Sequence, residues 1–281
     1  MTDPIRQTAL IYDFDGTLAR GNMQETSFIP AIGMTPRQFW YETVRPEVLR
    51  ADGDDILMYM QLMLRTAKEA GFKVTKQTLR EHGRDVPLFP GLLGDESWFR
   101  RIDAFGAAHG LSIRHFIISS GLYEMIEGCP IFPVFEHVFA SRYAYDEADE
   151  AVWPAVGINY TTKTQYLFRI NKGVLNNYEH EKINRYMPKD QRPVPFERMI
   201  FIGDGDTDVP TMKMMHSKGG HSIAVYDPET ELANQSKIHR LIAEDRVNFV
   251  ASADYTDGSA LDIIVKGILG RIARHEGIVL V

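Results

Sequence analysis

The sequence predicts an α/β protein built on a doubly wound parallel sheet, with an α-helical unit inserted after the first strand. Three observations carry this. Short β-branched and aromatic runs alternate with segments of helical period along most of the chain, the pattern of strands joined by crossover helices. Two of those runs, at 9–12 and 199–203, end in aspartates, and a long helix-rich span separates the first run from the next.

The first run, Ala9-Leu10-Ile11-Tyr12, passes directly into Asp13-Phe14-Asp15-Gly16-Thr17-Leu18. It reads as a buried strand followed by a sharp turn at Gly16. In extended backbone residues i and i+2 share a face, so Asp13 and Asp15 can address one ligand from the strand's C-terminal end, where open α/β sheets carry their sites. Two neighbouring carboxylates repel. The arrangement calls for a bound cation, or for one acid kept protonated. The plainer alternative is a polar turn made of ordinary turn residues.

At 281 residues the chain has room for one α/β domain with a large insertion, or for two domains. A net charge of −7 argues against a broad nucleic-acid or anionic-membrane surface, so neither partner is expected. The single cysteine, Cys129, rules out a disulfide framework and fits a reducing cytoplasm. The apolar run at 56–64 is too short to span a bilayer, and Met1-Thr2-Asp3-Pro4 does not begin a signal peptide. A cytoplasmic location is therefore the expectation.

After Leu18 the strand pattern stops. Thr35-Pro36 starts a helix over 37–49 with a break near Pro46. Residues 54–70 form the clearest helix, with Ile56, Leu57, Met60, Met63, Leu64 and Ala67 at helical spacing and Gly71 to end it. A shorter helix covers 75–82, and Met58, Met60 and Met63 read as core filler. Pro87-Leu88-Phe89-Pro90-Gly91-Leu92 returns the chain to a helix at 96–109 and a strand at 112–119. That strand ends Ile117-Ile118-Ser119-Ser120-Gly121 before a helix at 122–127. Such an end can hold a phosphate oxygen through a hydroxyl and free backbone N–H groups, or can be a plain serine cap.

A strand follows at 137–141, then a turn-rich hairpin excursion over 142–162. Residues 163–170 alternate weakly as a strand, and Asn171-Lys172-Gly173 precedes a helix at 174–186 closed by Pro188, Pro193 and Pro195. The second acidic strand end is Met199-Ile200-Phe201-Ile202-Gly203-Asp204-Gly205-Asp206-Thr207-Asp208. A calcium loop would need glycine where Val209 stands and an acid where Met215 stands, which excludes it. A strand at 222–226, a polar helix at 228–244, a strand at 247–253 and a helix at 261–275 complete the pattern.

Asp13-Phe14-Asp15-Gly16-Thr17-Leu18 resembles the first motif of the haloacid dehalogenase superfamily, whose members are mostly magnesium-dependent phosphatases. Gly203-Asp204-Gly205 with Asp208 is similar to its fourth motif, and a helical insertion after the first motif looks like the phosphoserine phosphatase branch. Through four short motifs the resemblance covers most of the chain. It implies a Rossmann-like core of residues 1–19 and 87–281 and an α-helical cap of residues 20–86. It implies Asp13 as nucleophile forming an aspartyl-phosphate, and Asp15 as the acid and base. Mg2+ would be held by Asp13, Asp204 and the Asp15 backbone carbonyl, with Asp208 in support; Asp206 has no assigned role.

For the phosphate, the resemblance favours Ser119 over Ser120, beside Gly121. It also places a lysine just before the helix that leads into the fourth motif, where Lys172 fits better than Lys163. The implied partner is a small phosphorylated metabolite. Asn22 stands where an acid for an amino group is expected, with Glu25 the nearest acid, so phosphoserine itself is not specified. Selectivity is expected at the start of the cap, around Asn22, Met23 and Glu25. A phosphotransferase or mutase would use the same intermediate, and a non-catalytic binding protein of the same fold is the remaining alternative. The sequence does not specify an oligomeric state.

Overall fold

A computed structural model of the chain describes residues 6–205, 207–230 and 240–277. Its centre is a seven-stranded sheet of β1 (Arg6–Tyr12), β2 (Leu111–Leu122), β3 (His137–Tyr145), β4 (Ala151–Val156), β5 (Met199–Gly203), β6 (His221–Tyr226) and β7 (Phe249–Ser252). The spatial order is β4-β3-β2-β1-β5-β6-β7, and every pair is parallel except the β3–β4 hairpin at one edge. The chain winds outward from β1 through β2 to β3, then restarts on the other side of β1 with β5. That reversal opens a crevice at the C-terminal ends of β1 and β5. Tyr12 pairs with Ile117 of β2 and Ile202 of β5, so the residues that follow each strand emerge at one level.

Burial on both faces explains why the central strands read as unbroken apolar runs. Leu10, Tyr12, Ile117, Ile200 and Ile202 pack into one core, while Ala9, Ile11, Phe116, Ile118 and Phe201 pack into another across the sheet.

Between β1 and β2 lie α1 (Met23–Thr26), α2 (Phe28–Ala31), a π-helical stretch (Gln38–Val44), α3 (Arg45–Ala51), α4 (Asp55–Glu69), α5 (Lys76–Arg84) and α6 (Trp98–Ala108). Pro46 sits in the first turn of α3, where its missing N–H costs nothing, so the expected break is a junction between two helical segments. Asp54 caps α4 by accepting from the Ile56 and Leu57 backbone N–H groups at 3.0 Å each. Thr75 opens α5 with a capping box to Thr78. Phe28, Met60, Met63 and Leu79 of this insertion join the core that holds Leu10 and Tyr12. At Gly83 of α5 a Cβ would lie 1.8 Å from the Met125 carbonyl oxygen of α7 (Tyr123–Gly128), so the insertion and the core meet backbone to backbone there.

The segment after the hairpin differs from expectation. Residues 163–170 are helical, forming α8 (Lys163–Lys172), and the helix expected over 174–186 shrinks to α9 (His180–Asn184). The reason is the buried stripe Lys163, Tyr166, Leu167 and Ile170, which has helical spacing, and Gly173 ends it in the left-handed conformation at φ 66°. After β5 comes α10 (Val209–Ser217), and the last described helix is Ala260–His275. The helix expected at 228–244 falls largely outside the described residues. Among the described residues no helix is long and apolar enough to cross a membrane.

Candidate active site

The crevice at the switch point gathers the acidic strand ends. Asp13, directly after β1, is 4% exposed and accepts from its neighbour Phe14's N–H at 2.7 Å through Oδ1. Its Oδ2 lies 2.8 Å from the Nζ of Lys163, the first residue of α8, and the same ammonium lies 2.7 Å from Asp208 Oδ1. Lys163 is fully buried. Burial alone would lower its pKa, but Asp13 and Asp208 outweigh burial and raise it, so the side chain stays an ammonium.

Asp15 turns toward the insertion, and its Oδ1 accepts from the Met23 N–H at 2.8 Å. Burial pushes its carboxyl up to about 7 against the opposing effect of that hydrogen bond. A carboxyl in that range exchanges a proton near neutral pH. Asp13 is also raised well above the usual carboxylate range, by burial and by Asp208, with Lys163 opposing. Gly16, at φ 71°, makes the turn in a conformation that other residues resist, and a Cβ there would press within 3.0 Å of Asp204 Oδ2.

Asp13, Asp204 and Asp208 each offer an oxygen within 4.8 Å of the others. Four carboxylates, counting Asp15, share this crevice with one ammonium, which pairs with two of them, and Asp208 Oδ2 is buried without a hydrogen-bond partner. Excess negative charge, a stranded carboxylate oxygen and an all-oxygen donor set fit a small hard divalent cation such as Mg2+. Asp206 lies outside the described residues.

Beside these acids the end of β2 brings Ser119, Ser120 and Gly121 to the same cavity. Ser119 is fully buried, and its Oγ accepts from the Gly121 N–H at 3.0 Å. The Ser120 carbonyl accepts from the Tyr59 hydroxyl at 2.8 Å, which links α4 to this strand end. Lys172 is not part of the group. Its ammonium donates to the Ile183 and Arg185 carbonyls at 2.6 and 2.7 Å, at the far end of α8 from Lys163. Ten helical residues separate the two ends by about 14 Å. Lys163, not Lys172, is therefore the cation that faces Asp13.

The cavity measures about 350 Å3, and residues of the insertion line one side of it. Asn22 lines it, and its Nδ2 donates to Glu25 Oε1 at 2.7 Å, as does the Trp40 indole N–H. Sequence reasoning passed over Gln24, Trp40, Arg45 and Tyr59 in this wall; only their nearness to Asn22 and Glu25, or a helical face shared with the π-helical stretch, could have drawn attention to them. A seam loop joins the insertion to α8. Asn159 donates to Asp54 Oδ2 at 2.6 Å, and the Tyr160 hydroxyl donates to Asp55. A larger cavity of about 970 Å3 opens at the opposite end of the strands, beside Arg6, Arg198 and His221, remote from the acids.

Comparison with known proteins agrees with this fold. Residues 10–213 match the family model of the haloacid dehalogenase-like hydrolases. A Borreliella burgdorferi protein named only as uncharacterized is 30% identical over 276 residues, covering 90% of this chain and 93% of its own. The fold is shared with a HAD family hydrolase of Salmonella enterica serovar Typhi, at TM-score 0.57 and 16% identity over 94% of this chain and 72% of that one. It is shared with a probable phosphoserine phosphatase of Vibrio cholerae, at TM-score 0.55 and 12% identity over 97% of this chain and 67% of that one. A phospho-aspartyl intermediate analogue of phosphoserine phosphatase has TM-score 0.53 and 13% identity over 93% of this chain and 99% of that one. The matched span takes in both acidic strand ends, Ser119 and Lys163, and the chain belongs to the haloacid dehalogenase-like hydrolases.

Proposed function

We propose that this hydrolase is a magnesium-dependent phosphatase that cleaves a small phosphomonoester through an aspartyl-phosphate on Asp13. The observation that carries the reading is the fully buried Lys163 ammonium held between Asp13 and Asp208, with Asp15 beside them at a pKa of about 7. A carboxylate oxygen of Asp13 forms a bond to phosphorus as the ester P–O bond breaks. Asp15 gives its proton to the departing oxygen, then takes a proton from the water that attacks the same phosphorus. Inorganic phosphate leaves and Asp13 is restored.

Lys163 offers its charge to the phosphoryl oxygens and keeps Asp13 in place, and the Ser119 hydroxyl, its oxygen oriented by the Gly121 N–H, donates to the phosphate from the β2 side. Mg2+ would be held by Asp13 and Asp204 with Asp208 behind them, and when bound it supplies neutralisation of the phosphoryl charge. Residues 20–86 act as a cap that shields the attack from bulk water and reads the ester's leaving group. Phosphate release from p-nitrophenyl phosphate tests the reading. Release with Mg2+, its loss on chelation and its return on adding Mg2+ are expected; no release under any of these conditions overturns it.

A further inference from the structure

The larger cavity, of about 970 Å3, lies where the parallel strands begin, at the end of the sheet away from the acids. Arg6 opens β1, Arg198 immediately precedes β5, His221 opens β6, and the last described helix adds Arg271 and His275. Arg6 and Asp13 stand seven positions apart along extended backbone, about 23 Å. The two cavities are therefore separate sites.

Five cationic side chains line this one, Arg6, Lys189, Arg192, Arg198 and Arg271, against three acids, Asp190, Glu197 and Glu276. The chain as a whole carries −7, so the cavity is a local reversal of sign. Two of the acids are already engaged. Glu197 pairs with Lys189 at 2.5 Å, and Glu276 pairs with Arg6 at 2.5 Å and with Arg198 at 3.7 Å. Arg271 donates to the Nδ1 of His221 at 2.9 Å, and Arg192 donates to the Met187 carbonyl at 3.3 Å. Among the described residues no carboxylate pairs with either guanidinium. Burial, then Arg271 and His275, push the His221 imidazole down to about 4, so it stays neutral and accepts from Arg271.

Guanidinium groups short of a carboxylate call for an anion, and the fork of an arginine matches phosphate oxygens two at a time. Arg192 comes from the segment before β5, Arg198 from the start of that strand and Arg271 from the last described helix, so the cations converge from different parts of the chain. One anionic centre engages few of them; linked centres engage more. The volume lies near the upper end for ligand pockets and takes a molecule of nucleotide size. A long polyanion is disfavoured, because the rest of the chain is net negative.

We propose that this cavity binds a small metabolite carrying linked phosphates, a nucleoside diphosphate or pyrophosphate itself, gripped by Arg192, Arg198 and Arg271. The site is independent of the phosphatase reading and stands without it.

The test is isothermal titration calorimetry of the full chain with inorganic pyrophosphate, ADP and sulfate, in EDTA so that no metal carries phosphate into the acidic crevice. Saturable binding of pyrophosphate or ADP at one per chain is expected, about tenfold or more tighter than sulfate, the value of one further charge-assisted hydrogen bond. Equal affinity for pyrophosphate and ADP assigns the site to linked phosphates alone, and tighter binding of ADP assigns it to a nucleotide; each supports the proposal. Arg271→Met should weaken binding about tenfold or more and leave turnover of p-nitrophenyl phosphate, measured without polyphosphate, unchanged. Arg198→Met should weaken binding likewise, while Ser119→Ala, in the acidic crevice, should leave it intact. No saturable binding at millimolar ligand, sulfate bound as tightly as pyrophosphate, binding that Arg271→Met leaves intact, or binding that Ser119→Ala abolishes overturns the proposal. Arg271 is exposed, so its variant keeps the test decisive even if the less accessible Arg198→Met change unfolds the chain.

Discussion

The two ends of α8 carry lysines in opposite circumstances. At the first residue, Lys163 is fully buried between two aspartates, at the edge where the sheet's C-terminal ends converge. At the last, Lys172 is half-buried and ties down the backbone of the next segment through two carbonyls. A lysine matched by two acids inside a protein is costly to remove, because its loss leaves both acids buried without a counter-charge. One that closes a loop contributes only ordinary hydrogen bonds. The end of the helix that faces the strand termini, not closeness to the following motif in sequence, decides which lysine meets Asp13.

The sharpest way to break this comparison is Lys163→Met. It leaves Asp13 and Asp208 buried together without a counter-charge, and should cost about 3–5 kcal/mol in urea denaturation of the metal-free protein as well as phosphatase turnover. A variant as stable as the wild type would place the stabilising charge elsewhere. Asp13→Asn should abolish turnover while the fold survives, because it relieves repulsion among four acids; folded protein with wild-type activity would remove Asp13 as the nucleophile.

Asp15→Asn should slow alkyl esters more than the nitrophenyl ester, whose leaving group needs less help from a proton, and equal losses would assign Asp15 a structural part. The same variant sharpens a pH effect. With its folded pKa raised from 3.8 to about 7, Asp15 binds its proton more tightly in the folded state. Its contribution is complete below the unfolded value and is lost as pH rises through 7, so metal-free wild-type stability should decline over that window and Asp15→Asn should flatten the decline. Lys172→Met, the smallest change, should cost about 1.5–3 kcal/mol and leave kcat/KM for p-nitrophenyl phosphate unchanged. A large drop in activity there would restore Lys172 to the site.

Much of the site was legible because strands announce their ends. Apolar runs buried on both faces stop abruptly at Asp13 and at Gly203-Asp204, and the serines after Ile118 close a third run in the same way. The doubly wound sheet and the helical excursion before β2 follow from the same alternation. Lys163 was harder to place. Tyr166, Phe168 and Ile170 alternate as a strand would, and the helical stripe through Tyr166, Leu167 and Ile170 has a charged residue as its first member. A buried lysine reads as solvent-facing until its two aspartates, 150 and 45 positions away in sequence, are known to converge on it. Gln24, Trp40, Arg45 and Tyr59 come from separate turns of the insertion, and only their folding onto one wall relates them.

Asp54 uses one carboxylate oxygen to cap α4 and the other to hold Asn159, whose backbone carbonyl in turn receives the N–H of Lys163 at 3.0 Å. One side chain thus spans the joint between α4 and the first turn of α8, which begins with Lys163. Any outward movement of α4 would pull on the peptide one helical turn from that ammonium, so the position of the insertion and the position of the buried charge are geared together.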